Sequence, residues 1–235
     1  MKIKDSVVFI TGANRGLGLA FAKAALAAGA RKVYGAARDP KSIVLPGVTP
    51  VALDVTQPAQ IEAAVRACGD VTLLVNNAGI SRGSSFLGSP DALAAARAEF
   101  ETNFFGPWAL TQAFASVLAA NGGGGVINVL SALSWTTFPS VATYSATKSA
   151  AWSLSNGLRN ELAGQGTQVT SLHVGYMDTD MAAHVQGDKS SPDDVARQAL
   201  AGVEAGRPEV LADEVSRQLK QTLSSATPPY AGSPA

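Results

Sequence analysis

Residues 7–18 read Val7-Val8-Phe9-Ile10-Thr11-Gly12-Ala13-Asn14-Arg15-Gly16-Leu17-Gly18. An apolar, β-branched run enters a glycine-rich turn, and an Ala/Leu-rich stretch follows at once, the pattern of a strand, a tight turn and a helix. Glycines let the chain turn sharply and let a bulky anion approach main-chain amides that a Cβ would screen. At a helix start those amides and the helix dipole face outward, so Gly12, Asn14, Arg15, Gly16, Leu17 and Gly18 are candidates for holding a phosphate. The spacing G-x-x-x-G-x-G differs from G-x-G-x-x-G and lacks the Gly-Lys-Ser/Thr of a P-loop.

Outward from this turn, short β-branched runs alternate with longer Ala/Leu-rich segments, which predicts an α/β fold: a Rossmann-type doubly wound parallel sheet with helices on both faces. Strands are expected over 7–11, 32–36, 50–54, 72–76, 126–131, 168–174 and 209–212. Helices are expected over 17–28, 58–68, 91–120, 142–164, 192–205 and 214–224. Ser89-Pro90 and Ser191-Pro192 supply helix-start signals. Too few residues, with Pro40, Pro46 and Pro50 among them, separate the second and third strands for a full crossover helix. A single domain over 1–225 is expected, with a Pro/Gly-rich flexible tail over 226–235.

The 235 residues are 46% hydrophobic and 15% charged, with 18 Lys+Arg against 18 Asp+Glu. That balance rules out global disorder, and with no basic block it argues against nucleic acid as a partner. The single cysteine, Cys68, can form no internal disulfide, and no zinc-ligand spacing is present, so no metal is expected. The apolar run 7–10 is too short for a signal or membrane segment, and a cytoplasmic location with no membrane contact is the expectation.

Tyr144 and Lys148 stand four apart on an expected helix, so both side chains leave one face, where an ammonium favours the phenolate and lowers the tyrosine pKa. Ser131, at a strand end, can donate a hydrogen bond into the same volume. With the glycine turn, Asn76-Asn77-Ala78-Gly79, Asn103, Ser131 and Tyr144-Ser145-Ala146-Thr147-Lys148, taken in this order, residues 5–181 resemble the short-chain dehydrogenase/reductase family, in its shorter one-domain branch.

The resemblance implies a hydride-transferring oxidoreductase acting on a ketone or aldehyde and the corresponding alcohol. Tyr144 would be the general acid or base, Lys148 would hold the ribose and depress the tyrosine pKa, Ser131 would polarise the substrate oxygen, and Asn103 would anchor a water. Asn76, Ala78 and Gly79 would lie along the cofactor, and Asp54 and Val55 would meet the adenine. In the segment 174–181, Gly175, Met177 and Thr179 would border the nicotinamide, with Val174 where relatives carry proline. NAD-preferring relatives place a carboxylate where this chain has Ala37. Arg38 and Arg15 instead suit a 2′-phosphate, since guanidinium forks bind phosphate oxygens in pairs, which predicts NADP(H) over NAD(H). An alternative pairs Arg38 with Asp39 at the surface.

The dozen residues between Thr179 and Ser191 imply a short lid and a pocket open to bulky hydrophobic carbonyl substrates, lined by Leu133, Trp135, Phe138, Tyr176 and Met181. Each of those could equally serve core or interface packing. Relatives pair through helices corresponding to 91–120 and 142–164, so a homodimer or homotetramer is implied. Two other readings stay open. One is a dinucleotide-binding regulator or scaffold without turnover. The other is a serine hydrolase using Ser81 in Gly79-Ile80-Ser81-Arg82-Gly83, with His173 or His184 as base, although an elbow serine needs a helix directly after it.

Overall fold

The run Val7–Thr11 is buried at every position, as a strand covered on both faces must be, and it forms β1 near the centre of the sheet. The computed structural model describes residues 1–231. The seven strands lie in the order β3-β2-β1-β4-β5-β6-β7. They are β1 (Val7–Thr11), β2 (Lys32–Ala37), β3 (Val48–Ala52), β4 (Leu73–Asn76), β5 (Gly125–Val129), β6 (Gln168–His173) and β7 (Glu209–Leu211). Every pairing is parallel. The fold is the expected Rossmann-type α/β architecture.

Helices α1 (Gly16–Ala27) and α6 (Pro192–Glu204) cover one face, where Leu17, Phe21, Val195 and Leu200 close over Val8, Ile10 and Val75. On the other face, α2 (Pro58–Ala67), α4 (Gly106–Ala120) and α5 (Ala142–Leu162) bring Ile61, Phe114 and Leu158 against Val7, Phe9 and Leu74. Helix α3 (Ala92–Phe100) precedes α4, and α7 (Glu214–Thr222) follows β7. Among the described residues no helix is long and apolar enough to cross a membrane.

Several local expectations need correction. The third strand lies two residues earlier than expected: Pro50 sits inside it, and an edge strand tolerates a residue that cannot donate. Ser89 starts no helix; its hydroxyl accepts from the Ser85 amide, and α3 begins at Ala92 without a side-chain cap. Ser191 does cap α6 through the Asp194 amide. The segment 91–120 is interrupted by a π-helical turn over Glu101–Phe105. Pro107 has no N–H to offer the carbonyl of Asn103 four residues earlier, so the chain widens there. Of the expected tail, Pro229–Ala231 forms a 3-10 turn beside Thr136, and residues 232–235 lie outside the described residues.

Candidate active site

Parallel strands all end at one edge, and here their C-terminal ends open into a cleft of about 2000 Å³. Because the strand order reverses between β1 and β4, the chains leaving those two strands part and leave a crevice. Gly12, Asn14, Arg15, Gly16 and Leu17 form one wall of it, with Arg38, Asp54, Val55, Ala78 and Gly79 alongside. Gly12 and Gly16 have φ of +65° and +53°, a left-handed backbone that favours glycine. A Cβ on Gly12 would lie 3.2 Å from the Ala78 backbone. The volume exceeds the roughly 300–1,000 Å³ of sites for drug-sized ligands and leaves room for a dinucleotide beside a substrate.

Two of the expected cofactor contacts fall elsewhere. Gly18 does not line the cleft; it lies behind the turn, where a Cβ would stand 2.1 Å from the Gly12 carbonyl oxygen. Its role is to let α1 meet the turn. Asn76 is buried and bonded to Thr111 Oγ1 and Asn128 Oδ1 at 3.1 and 2.8 Å, so it braces β4 and does not line the cleft. Asn77 takes the cleft position, and its amide nitrogen donates to the Thr11 and Gly12 carbonyls. Strand alternation carried that signal: Asn76 follows Leu74 onto the face toward α4, and Asn77 turns to the glycine loop. Thr11 Oγ1 also accepts from the amides of Asn77 and Ala78, both at 2.9 Å.

The charged rim only partly matches expectation. Arg15 already pairs with Asp180 at 2.8 Å across the cleft mouth, an exposed ion pair of small energy. Arg38 lines the cleft and meets no carboxylate within salt-bridge distance among the described residues. The alternative partner, Asp39, caps the Lys41 amide instead.

Ser131, Tyr144 and Lys148 meet on the cleft floor. Ser131 follows β5 and accepts from the Leu133 amide, while Lys148 Nζ lies 5.5 Å from the Tyr144 ring centroid and donates to the Val129 carbonyl at 2.8 Å. The tyrosine pKa moves opposite to the expected lowering. Burial, and secondarily the charge of Glu99, push the Tyr144 phenol above its ordinary value, and the Ser131 hydroxyl pulls the other way. Burial also pulls Lys148 down, to about 8. A dehydrated phenol beside a carboxylate stays protonated and serves as a proton donor.

Asn103 sits in the π turn outside the cleft lining; it accepts from the Ile80 amide and donates to the Ile80 carbonyl and Thr147 Oγ1. On the opposite wall, Gly175, Met177 and Thr179 line the cleft as expected, and Thr179 packs on Gly16. Leu133, Phe138, Tyr176 and Met181 also line it. Trp135 does not: it is 6% exposed and stacks beneath the floor on His173 at 4.0 Å. The sequence reading also missed Asp213, which lines the cleft, accepts from the Gly175 amide at 2.6 Å and caps α7 through the Ser216 amide. Its position directly after β7 was the available signal, since each parallel strand end feeds this edge.

Ser81 lines the cleft, yet irregular chain follows it and no helix. His173 is fully buried with Nδ1 on the Ser131 carbonyl. Cys68 is buried, and burial pushes its thiol up to about 11.

A glycine turn at the switch point of an open parallel sheet, beside a half-buried Tyr144 and a buried Lys148, defines a Rossmann-type oxidoreductase. The profile of the short chain dehydrogenase family matches residues 6–190. A short chain dehydrogenase from Burkholderia cenocepacia J2315, solved in complex with NADP, is 39% identical with a TM-score of 0.92, over 96% of this chain and 95% of that one. The 3-ketoacyl-(acyl-carrier-protein) reductase of Brucella melitensis, solved with NADH, is 27% identical with a TM-score of 0.81, over 89% of this chain and 97% of that one. An uncharacterised oxidoreductase of Methylorubrum extorquens is 31% identical over 92% of this chain and 90% of its own length. The chain belongs to the short chain dehydrogenase family, oxidoreductases acting on alcohol and carbonyl groups with a nicotinamide dinucleotide.

Proposed function

We propose that this protein is an NADP(H)-dependent oxidoreductase that interconverts a hydrophobic ketone or aldehyde and its alcohol, with Tyr144 as the proton donor in reduction. The observation that carries the reading is the meeting of Ser131, Tyr144 and Lys148 on the floor of a cleft whose upper wall is the glycine turn. NADPH, when bound, supplies the hydride. Gly12, Asn14, Gly16, Leu17, Ala78, Gly79, Asp54 and Val55, which line the cleft, would hold it, with Gly175, Met177 and Thr179 opposite. Ser131 polarises the carbonyl by donating its hydroxyl hydrogen, and Tyr144 gives the proton that completes the alcohol. Lys148, charged below about pH 8, offsets the negative charge that forms on the tyrosine oxygen. Leu133, Phe138, Tyr176 and Met181 suit an apolar substrate body. A homodimer or homotetramer through α4 and α5 belongs to the same reading, supported by half-exposed Phe105 and Trp108 where the π turn meets α4.

Two outcomes follow from the charges. The kcat for reduction falls as pH rises through about 8, because Lys148 loses its proton there; a pH profile flat to the ordinary lysine range contradicts this assignment. Arg38→Ala raises KM for NADPH roughly 10- to 100-fold, the loss of a charge-assisted hydrogen bond, and leaves KM for NADH unchanged. Equal effects on the two cofactors would remove Arg38 from 2′-phosphate recognition. The experiment for the reading as a whole is consumption of NADPH and of NADH, side by side, across aryl ketones, diketones, quinones and aldehydes. Turnover with NADPH is expected, and turnover with NADH alone overturns the cofactor assignment.

A further inference from the structure

We propose that His173 is a positioning residue for Ser131, holding the serine peptide from beneath the cleft so that the hydroxyl faces the substrate carbonyl. The inference rests on the reading of Ser131 given above. Ser131 is the first residue of a tight turn after β5, with extended backbone at φ −157° and ψ 160°. Most of its hydrogen bonds stay inside that turn: its hydroxyl accepts from the Leu133 amide at 3.1 Å, its amide faces Ser134 Oγ at 3.4 Å, and its carbonyl accepts from the Ser134 amide at 3.0 Å. Such bonds move with the turn and cannot fix it against the sheet. Three bonds on and around Ser131 reach out to the neighbouring strand: the Leu130 amide donates to the Leu172 carbonyl at 2.8 Å, the Ala132 amide donates to the Val174 carbonyl at 3.0 Å, and His173 Nδ1 meets the Ser131 carbonyl at 3.1 Å. Only the last acts on Ser131 itself.

A carbonyl oxygen can only accept, so Nδ1 carries the hydrogen and the tautomer is set. The ring cannot swing away. One face stacks on Trp135 at 4.0 Å and 20°, and Trp152 meets Trp135 edge-on at 6.1 Å. Lys220 of α7 lies 5.0 and 5.1 Å over the rings of Trp135 and Trp152. Glu209 ties the set together, accepting from Trp152 Nε1 at 3.0 Å and pairing with Lys220 at 2.8 Å.

A histidine is a costly choice for this place. It is fully buried, and Nε2 has no hydrogen-bond partner, lying 3.7 Å from Glu209. A phenyl ring would fill and stack in the same space without stranding a buried nitrogen. What a phenyl lacks is the donor on the Ser131 carbonyl.

The test separates this donor from packing. His173→Phe keeps a stacking ring and removes the donor. It is expected to bind NADPH as the wild type does, with KM for the carbonyl substrate unchanged and kcat lowered about tenfold through a displaced serine. His173→Asn places an amide nitrogen near the Nδ1 position and is expected to hold kcat within about twofold of wild type. Its Tm falls, because the smaller side chain leaves Trp135 unstacked. In a Ser131→Ala background, His173→Phe is expected to cause no further loss, since the residue acts through the serine. If His173→Phe does not fold, His173→Leu takes its place with the same expectations. A folded donorless variant with full kcat, an Asn variant that loses as much as Phe, or an additional loss in the Ser131→Ala background overturns the inference. A fully active Ser131→Ala overturns the reading of Ser131 and this inference with it, whereas an inactive Ser131→Ala beside a fully active His173→Phe overturns the inference alone.

Discussion

Tyr144→Phe is expected to lower kcat for carbonyl reduction by roughly 10²- to 10⁴-fold, the range of a positioned general acid. The substitution removes one hydroxyl and keeps the ring, so packing at the start of α5 is preserved. Lys148 keeps its bond to the Val129 carbonyl, which does not involve the tyrosine. NADPH affinity, read by fluorescence titration, should therefore stay within a few-fold of wild type. Burial and Glu99 hold the phenol protonated, so at neutral pH the wild-type residue begins reduction as a competent donor. A Phe variant with nearly full kcat would mean that some other group delivers the proton.

Gly18→Ala should be a strongly damaging small change to the cofactor wall. Its added Cβ would lie 2.1 Å from the Gly12 oxygen and 2.6 Å from Asn77 Nδ2, and the nearer obstacle is backbone. Either α1 or the glycine turn must shift. Overpacking of this kind costs about 1–3 kcal/mol, and because the turn is the cofactor wall, NADPH affinity should fall roughly 10- to 100-fold. Calorimetric titration of the purified variant, with circular dichroism to confirm folding, checks this. Wild-type affinity would show that the turn tolerates displacement and contributes little to binding.

The architecture was legible in the chain because parallel strands buried on both faces must be short apolar runs, and because the glycine turn sits where a strand becomes a helix. Placement at single residues depended on contacts that lie far apart in sequence. The place of the Asn103 side chain is set by Ile80 and Thr147, partners 23 and 44 residues away. Trp135 was expected to line the substrate pocket with its apolar neighbours, yet the 3-10 turn Ala132–Ser134 carries it down onto His173. The swap of Asn76 for Asn77 could have been read from strand alternation. The tyrosine pKa could not, since a helix-face argument counts Lys148 and knows nothing of the burial and the Glu99 charge that push it up. Arg15 likewise has a competitor, Asp180, that only the folded chain reveals.

The most direct test of the central claim is the transfer of label from NADPH carrying deuterium at the nicotinamide C4 to the product, with a ketone from the panel that shows turnover. The account predicts one deuterium on the carbinol carbon, with Tyr144→Phe abolishing its formation. NADPH that binds without delivering label to any carbonyl compound would contradict the account and leave a dinucleotide-binding protein without turnover.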